Sequence, residues 1–393
     1  MNRIGLVGSG YEWTALPIVR EMGRSSIRSF FFSQHGRNPV IHSRYLSGRF
    51  QIADLTDTNH ITALNNFCGR FGIGSLICLD ENLKYSLIEH QKCLPDLKFA
   101  FPSLDSYDIA IRKNRSASFV GGLGIPIPET TPIETLSDLE VFDRPFDRDI
   151  VVKGIRGVAS NHIRYASNYR DLVTSYREIY EIEKDDELAD TKPIVQEYIG
   201  GPTYLTQGLS QHGKVKIVVP HRKIREWPIS GGITTRATTI TEPRLVEYTT
   251  RVMEALNWHG ECGMEWKYDE ERDDFYFIEM NPRFEGSVDI AIKAGVNLPK
   301  LLLDVIHEKT VPDDLEYRPD THYRFFFKQD FKYFLTKPYG ISGLIRDSID
   351  PRVHGELAID DMGILRIFWK KPIQDIFNHL RCKGNNHPSA TTL

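Results

Sequence analysis

The sequence has few cysteines and no excess of basic residues, and each shortage excludes a class of function. Lys and Arg total 49 against 53 Asp and Glu, which argues against a nucleic-acid-binding protein that works through bulk charge. The cysteines form no CxxC pair and no Cys/His cluster, so we expect neither a structural zinc site nor a disulfide framework. The five are scattered along the chain as Cys68, Cys78, Cys93, Cys262 and Cys382.

Long apolar runs are also missing. No stretch of the sequence approaches the roughly 20 apolar residues that a membrane-spanning helix needs. The first residues enter a strand pattern without the layout of a signal peptide. We therefore expect a soluble, cytoplasmic protein without membrane insertion. A length of 393 residues exceeds one ordinary core and indicates two or three domains.

Residues 1–105 alternate between strand and helix patterns. Short apolar strands are expected at 3–7, 28–33 and 75–80, and a helix at about 14–22. This alternation predicts a small parallel α/β domain that ends near residue 105.

The first predicted strand runs into a glycine turn that invites a dinucleotide-binding interpretation. Gly8 and Gly10 fit the start of that fingerprint, but its third glycine would fall at Trp13 and no acid closes the second strand. We therefore interpret the turn as structural, or as part of a substrate pocket. An NAD-dependent oxidoreductase stays as an alternative that rests on these two glycines.

The chain beyond residue 105 has the mixed pattern of an α+β region up to about residue 310. Helices are expected near residues 108–123, 168–183 and 243–256, and the segments 289–294 and 298–306 complete the region. Strands are expected at 150–153, 194–199, 204–210 and 215–220, with a hairpin formed by 262–268 and 275–280. After residue 311 we expect aromatic strands, a late helix near 372–380 and a polar tail.

The second arm of this hairpin ends in the stretch FIEMNPRFEGS, which carries unusual side chains for a strand end. Glu279 and Asn281 are two residues apart and share a face. If the turn is centred near Arg272, Glu265 lies directly opposite Glu279, and the two carboxylates repel. A divalent cation removes that repulsion, and two carboxylates with an amide oxygen suit Mg²⁺. The alternative is a surface acid pair with a capping asparagine.

Other basic residues favour a nucleotide triphosphate as the partner of this metal. Lys153 ends a predicted strand and precedes a loop with Gly154, Arg156 and Ser160, whose backbone amides could wrap phosphate oxygens. Lys113 lies in the helix before the turn at 124–126. Two lysines, a flexible loop, an acid pair and Arg283 are the groups that a triphosphate with Mg²⁺ requires.

The order of these motifs resembles the ATP-grasp superfamily, in particular its carbamoyl-phosphate synthetase-like and D-alanine ligase-like carboxylate–amine ligases. The resemblance covers about 106–310 and is most specific at 277–287. It implies a Rossmann-like pre-ATP-grasp domain at 1–105, an ATP-grasp domain of two α+β subdomains at 106–310 with a lid at about 128–194, and a small C-terminal extension at 311–393.

The resemblance also implies roles for individual residues. ATP would be bound by Lys113, Lys153, Arg156, Ser160, Glu197, Tyr198, Ile199 and Thr203, with the backbone near Tyr198 and Ile199 reading the adenine edge. Glu265, Glu279 and Asn281 would hold one or two Mg²⁺ ions, for which Mn²⁺ could substitute. Catalysis would fall to Arg283, Lys153, Arg225 and Arg236.

Some positions depart from the family's pattern or allow two interpretations. The family usually has acids that bind the ribose after the hinge strand, where this chain has Thr203 and Gln207. Arg225 and Arg236 could bind an anionic substrate or lie on a solvated face. Four residues near the motif could position an amine, although structural roles fit them more simply: His259, Glu261, Glu285 and Asp289.

The implied reaction is an ATP-dependent ligation of a carboxylate to an amine through an acylphosphate. The substrates would be small molecules, nucleic acid would not be a partner, and the protein could act as a homodimer. Two further alternatives stay open: a ligase of the same fold with a non-amine acceptor, and a nucleotide-binding regulatory protein without turnover.

Overall fold

The structure is a computed structural model. It describes residues 3–364, apart from 11–12, 36–37, 53–54, 56, 132, 134–135, 140–145, 147–148, 157–161, 185–191, 228–231, 326–329, 331–332 and 335–339. The helix predicted near 372–380 and the polar tail lie outside the described residues, as does Ser160.

The N-terminal domain is a parallel four-stranded sheet with strand order β3-β2-β1-β4. Its elements follow one another as β1 (Arg3–Gly8), α1 (Ala15–Arg24), β2 (Arg28–Ser33), β3 (Leu46–Gln51), α2 (Thr58–Arg70), β4 (Leu76–Cys78) and α3 (Glu81–Glu89). Strands β2 and β3 lie on one side of β1, and β4 lies on the other. Such a switch point opens a crevice at the carboxyl ends of β1 and β4, where ligands of open α/β sheets bind.

Strand β3 and helices α2 and α3 had no counterpart in the sequence prediction. Along β3 every residue is half-buried or exposed, so this edge strand lacks the apolar run that marks a buried strand. The helix expected at 108–123 is also wrong in part. Two helices stand there, α4 (Leu104–Ile111) and α5 (Lys113–Gly122), and Arg112 between them is extended.

A tertiary contact accounts for that break. The backbone N–H of Lys113 donates to the carbonyl of Ile155 at 3.1 Å, a bond to another part of the chain that no local pattern encodes. As a result Lys113 begins a new helix, and its side chain lines the central cavity.

The predicted lid region forms a small antiparallel sheet with strand order β5-β8-β6-β7. Its strands are β5 (Thr130–Thr131), β6 (Ile150–Lys153), β7 (Ile163–Ala166) and β8 (Ile194–Glu197). Helix α6 (Tyr169–Glu183) begins after Asn168, whose side chain accepts from the N–H of Asp171, as a helix N-cap does. The helix buries Leu172, Tyr176 and Ile179 against the sheet, so this unit has its own core.

The remaining strands form one seven-stranded sheet with order β13-β12-β9-β10-β11-β14-β15. They are β9 (Thr203–Gln211), β10 (Lys214–Trp227), β11 (Ile233–Thr239), β12 (Gly260–Asp269), β13 (Asp274–Asn281), β14 (His322–Arg324) and β15 (Val353–Gly355). The helices of this region are α7 (Pro243–Ala255), α8 (Val288–Lys293), α9 (Leu298–Ile306) and α10 (Gly340–Ile349).

The C-terminal part of the chain is continuous with this sheet. Strands β14 and β15 lie beyond residue 311, yet β14 pairs with β11, so the sheet crosses the boundary predicted there. The predicted fold class, an α/β domain followed by α+β subdomains, is confirmed. Among the described helices, none combines the length and apolar character that crossing a membrane requires.

Candidate nucleotide and metal site

A large cavity lies where the N-terminal domain, the lid sheet and the seven-stranded sheet meet. Its volume is about 580 Å³, which suits a ligand of nucleotide size. Most of the residues predicted to bind ATP or metal line it, namely Lys113, Lys153, Arg156, Glu197, Tyr198, Ile199, Thr203, Glu265, Glu279 and Asn281. Arg283, predicted to be catalytic, lines it as well. The sequence pattern therefore located the residues of one shared cavity.

The two facing carboxylates are the central feature of this cavity. Glu265 on β12 pairs directly with Glu279 on β13, so the predicted cross-strand register is confirmed. Each acid has a lysine beside it. Lys223 Nζ lies 3.0 Å from Glu265 Oε2, and Lys113 Nζ lies 3.7 Å from Glu279 Oε2. These ammonium groups offset part of the repulsion between the acids.

Asn281 joins a third carboxylate, Glu285, to this pair. Its Nδ2 donates to Glu279 Oε1 at 3.3 Å and to Glu285 Oε1 at 2.9 Å. Burial raises the pKa of the Glu285 carboxyl to about 7, opposed by Arg283 and reinforced by the negative charges of Glu265 and Glu279. The sequence favours a structural role for Glu285. In the structure Glu285 lines the same cavity as Glu265 and Glu279, and carboxylate oxygens suit a hard divalent cation.

Lys153 is the most buried basic group predicted to bind phosphate. It ends β6 and is 6% exposed. Burial lowers its pKa to about 8, although the carboxylate of Glu279 acts in the opposite direction. A buried cation with little compensation gains from an anionic ligand, and this favours the predicted phosphate contact.

The loop after Lys153 differs from the prediction that its amides wrap phosphate. The N–H groups of Ile155 and Arg156 donate to the Glu183 carboxylate at 2.8 and 3.2 Å. A Cβ added at Gly154 would lie 2.1 Å from Glu183 Oε1, so glycine is required for this approach. Glu183 at the end of α6 thus holds the first part of the loop, and residues 157–161 lie outside the described residues.

The hinge strand forms the predicted adenine side of the cavity, with one difference. The Tyr198 N–H donates to the carbonyl of Asp149 at 3.0 Å, so this amide already has a partner within the protein. Glu197 pairs with Arg272 at 3.0 Å, which makes it a link between lid and hairpin. Ile199 and the buried Thr203 remain as lining residues.

Arg225 and Arg236, predicted to act on the substrate, belong to a buried ion-pair network instead. Asp347 on α10 accepts from Arg225 at 2.6 Å and from Arg236 at 2.9 Å. Asp330 pairs with Arg225 at 2.9 Å. Neither arginine lines the cavity. The expectation failed because both aspartates come from the C-terminal part of the chain, more than a hundred residues away.

Lys223 is a cavity residue to which no role was assigned from the sequence. It follows His221 and Arg222 on β10, and its side chain is 8% exposed. Burial lowers its pKa, but the carboxylates of Glu265 and Glu226 raise it more, so the group stays charged. Its partner Glu265 was predicted as a metal ligand. Knowledge of this pairing, which the sequence does not show, would have identified Lys223 as a residue of the site.

The glycine turn after β1 is structural and lies beside the cavity. Gly10 has φ of +114°, and a Cβ there would lie 2.2 Å from the carbonyl of His35. Ser9 and Trp13 line the cavity. Both halves of the sequence interpretation, a structural turn and part of a pocket, agree with this arrangement.

Comparison with known proteins shows what this arrangement is similar to. Residues 190–326 match the family model described as ATP-grasp in the biosynthetic pathway with Ter operon. A comparison with curated protein sequences gives no match.

Solved structures with the same fold span most of the chain. Biotin carboxylase from Campylobacter jejuni, in its β-γ-ATP complex, superposes with a TM-score of 0.67 at 15% identity over 81% of this chain and 74% of that one. L-amino acid ligase from Bacillus licheniformis gives 0.63 at 18% identity over 82% and 78%.

A third similar structure is N5-carboxyaminoimidazole synthetase from Staphylococcus aureus complexed with ADP. Its TM-score is 0.64 at 11% identity, over 80% of each chain. At these identities the likeness concerns the fold. Residues 190–326 thus match an ATP-grasp family model, and most of the chain shares its fold with these three structures.

Proposed function

We propose that the protein is an ATP-dependent ligase that activates a carboxylate as an acylphosphate and couples it to an amine. The observation that carries this proposal is the pair of facing carboxylates, Glu265 and Glu279. They share one cavity with Lys113, Lys153 and Arg283. The solved structures of similar fold include an L-amino acid ligase and a biotin carboxylase. Their named activities support an ATP-dependent reaction of a carboxylate or of bicarbonate.

The donor set of the cavity fits a magnesium ion. Glu265, Glu279 and Glu285 line one cavity, and Asn281 donates to the last two. Mg²⁺ prefers oxygen ligands and retains phosphate and water. The raised pKa of Glu285 reflects, besides burial, negative charges that are not fully balanced. When bound, Mg²⁺ would neutralise charge on the phosphates.

The residues around the donor set can be assigned to parts of ATP. Lys113 and Lys153 would bind phosphate oxygens, since both lie beside Glu279 at the cavity wall. Ile199 and Thr203 would contact the nucleoside. Phosphoryl transfer needs alignment and charge stabilisation more than covalent help from the protein, and this set of cations supplies both.

Arg283 would stabilise the transferred phosphoryl group. In the first step a carboxylate oxygen of the substrate bonds to the γ-phosphorus, the bond to the β–γ bridging oxygen breaks, and ADP leaves. In the second step the amine nitrogen bonds to the acyl carbon, phosphate leaves, and the nitrogen loses one proton. The pKa of Arg283 is raised because Glu81, Glu285 and Glu279 outweigh the effect of burial, so the guanidinium stays charged throughout.

Release of ADP from ATP and Mg²⁺ tests this proposal. Purified protein is screened against paired carboxylates and amines, with hydroxylamine in a parallel set. ADP release that requires a carboxylate substrate, together with formation of a hydroxamate, would support an acylphosphate intermediate. ADP release without hydroxamate would indicate direct phosphorylation, and nucleotide binding without any ADP release would indicate a regulatory protein.

A further inference from the structure

The first turn of α3, in the N-terminal domain, contacts the segment that carries the proposed phosphoryl-stabilising arginine. We infer that Glu81 is a positioning residue for Arg283, so that the N-terminal domain completes the phosphoryl site. This inference rests on the proposed function of the cavity. It concerns a residue to which the sequence analysis gave no role.

The direct evidence is a half-buried ion pair between the N-terminal domain and the end of β13. Arg283 Nε lies 2.8 Å from Glu81 Oε1, with the two side chains 20% and 18% exposed. Oε1 lies off the N–H direction, so the contact is an ion pair rather than an aligned hydrogen bond. Both residues line the cavity, and the pair therefore stands where a phosphoryl group would be stabilised.

The hydrogen bonds of Arg283 come from its own segment and are long. Nη1 donates to the carbonyl of Phe284 at 3.2 Å, and Nη2 donates to Asn281 Oδ1 at 3.4 Å. Arg283 follows the end of β13 and has four rotatable side-chain bonds, so local contacts leave it much rotamer freedom. Glu81 takes the Nε side, and each Nη has a second N–H besides the one that it donates within the segment. These N–H groups can bind phosphate oxygens, which a guanidinium binds well.

Helix α3 is fixed firmly enough to act as a support. Asp80 caps it by accepting from the N–H groups of Asn82 and Leu83 at 3.0 Å each. Lys84, fully buried and one turn after Glu81, donates to the carbonyl of Pro282 at 2.9 Å and to Glu261 Oε1 at 2.7 Å.

Residues three apart on a helix share a face, so one face of α3 holds two consecutive residues of the motif. Lys84 fixes the backbone at Pro282, and Glu81 fixes the next side chain, Arg283. In addition, Asn82 in the same turn accepts from Arg156 of the lid loop. The first turn of α3 thus contacts guanidinium groups from both the motif and the lid.

Calorimetric titration with ADP and with a non-hydrolysable β,γ-imido analogue of ATP, each with Mg²⁺, tests the inference without turnover. Glu81→Gln keeps the size of the side chain and removes its charge. We expect the preference for the triphosphate over ADP to fall about threefold to tenfold, with ADP affinity unchanged. Glu89→Gln on the same helix is the control, since Glu89 is 49% exposed and lies outside the cavity lining.

A double-mutant cycle separates positioning from a general structural role. Arg283→Gln should reduce the same preference at least as much, and adding Glu81→Gln to it should cause no further loss, because residues that act through one contact are not additive. Glu81→Asp should recover part of the loss. An unchanged preference in Glu81→Gln, or a fully additive double variant, would overturn the inference and leave the proposed function standing. If the unaltered protein bound neither nucleotide, the proposed function would fail as well.

Discussion

Glu265 and Glu279 stand directly opposite each other on the antiparallel strands β12 and β13. Facing like charges destabilise a sheet, and the protein offsets this with Lys113 and Lys223. Two neutral residues at these positions would make the sheet more stable, yet the chain has two acids there. This is typical of a site whose residues serve binding rather than stability.

Replacement of Glu279 by Gln should abolish ADP release. Removing one aligned charge from a phosphoryl-transfer site lowers the rate by on the order of a hundredfold or more, while the isosteric amide leaves the fold intact. Steady-state ADP release and the melting temperature are the measurements. Glu270→Gln at the exposed turn of the same hairpin serves as the control and should keep full activity. Full activity in Glu279→Gln would end the metal assignment.

Replacement of Lys153 by Met should weaken nucleotide binding without weakening the fold. The ammonium is nearly fully buried, and burial lowers its pKa, so an apolar side chain removes a desolvation cost. We expect the dissociation constant for ADP to rise about tenfold or more, in line with loss of a charged phosphate contact, and the melting temperature to stay level or rise. Titration calorimetry and thermal melts measure these, with the exposed Lys92→Met as control. Unchanged ADP affinity would remove Lys153 from the phosphate site.

His221 should make the fold sensitive to acid. Its ring is fully buried, Nε2 lies 2.8 Å from Ser287 Oγ, and burial lowers its pKa to about 4. The ordinary value near 6.5 lies above this, so the unfolded chain binds more protons between the two values. The contribution of neutral His221 to the free energy of unfolding is therefore complete above pH 6.5. It is lost as pH falls towards 4, and the loss is about 3 kcal/mol at most.

The test is urea unfolding of the unaltered protein and of His221→Gln at pH 7.5 and at pH 5. The variant removes the titrating group and should lose less stability on acidification. His60→Gln, at an exposed position, should behave like the unaltered protein. An equal acid effect in all three proteins would show that His221 does not titrate across this range.

Asp347 should matter for stability and not for turnover. It accepts from two buried arginines, Arg225 and Arg236, and removing one partner of a buried ion pair costs about 3–5 kcal/mol. We expect Asp347→Asn to lower the free energy of unfolding by an amount of that order, while kcat of the folded protein changes less than about twofold. Chemical unfolding and ADP release measure the two effects, with the exposed Asp314→Asn as control. A loss of kcat with normal stability would return the arginines to the substrate site.

Much of the candidate site could be read from the sequence because it depends on neighbours along the chain. A strand with a period of two puts Glu279 and Asn281 on one face, which follows from local geometry. The turn pairs Asp269 with Asp274, and a register shift between Glu265 and Trp266 then brings Glu265 opposite Glu279. The helix at 108–123 was wrong because its break depends on a bond from Lys113 to the distant Ile155.

The sequence by itself determined most of the alternation of strands and helices, the hairpin that carries Glu265 and Glu279, and the lysines that precede it. Tertiary structure decided the partners of the arginines. Arg283 meets Glu81 from the N-terminal domain, and Arg225 meets Asp330 and Asp347 from the far end of the chain. Periodicity records which face a side chain takes within its own element. Which charge lies across from that face depends on how the domains pack, since contacts between residues a hundred or more positions apart leave no local pattern.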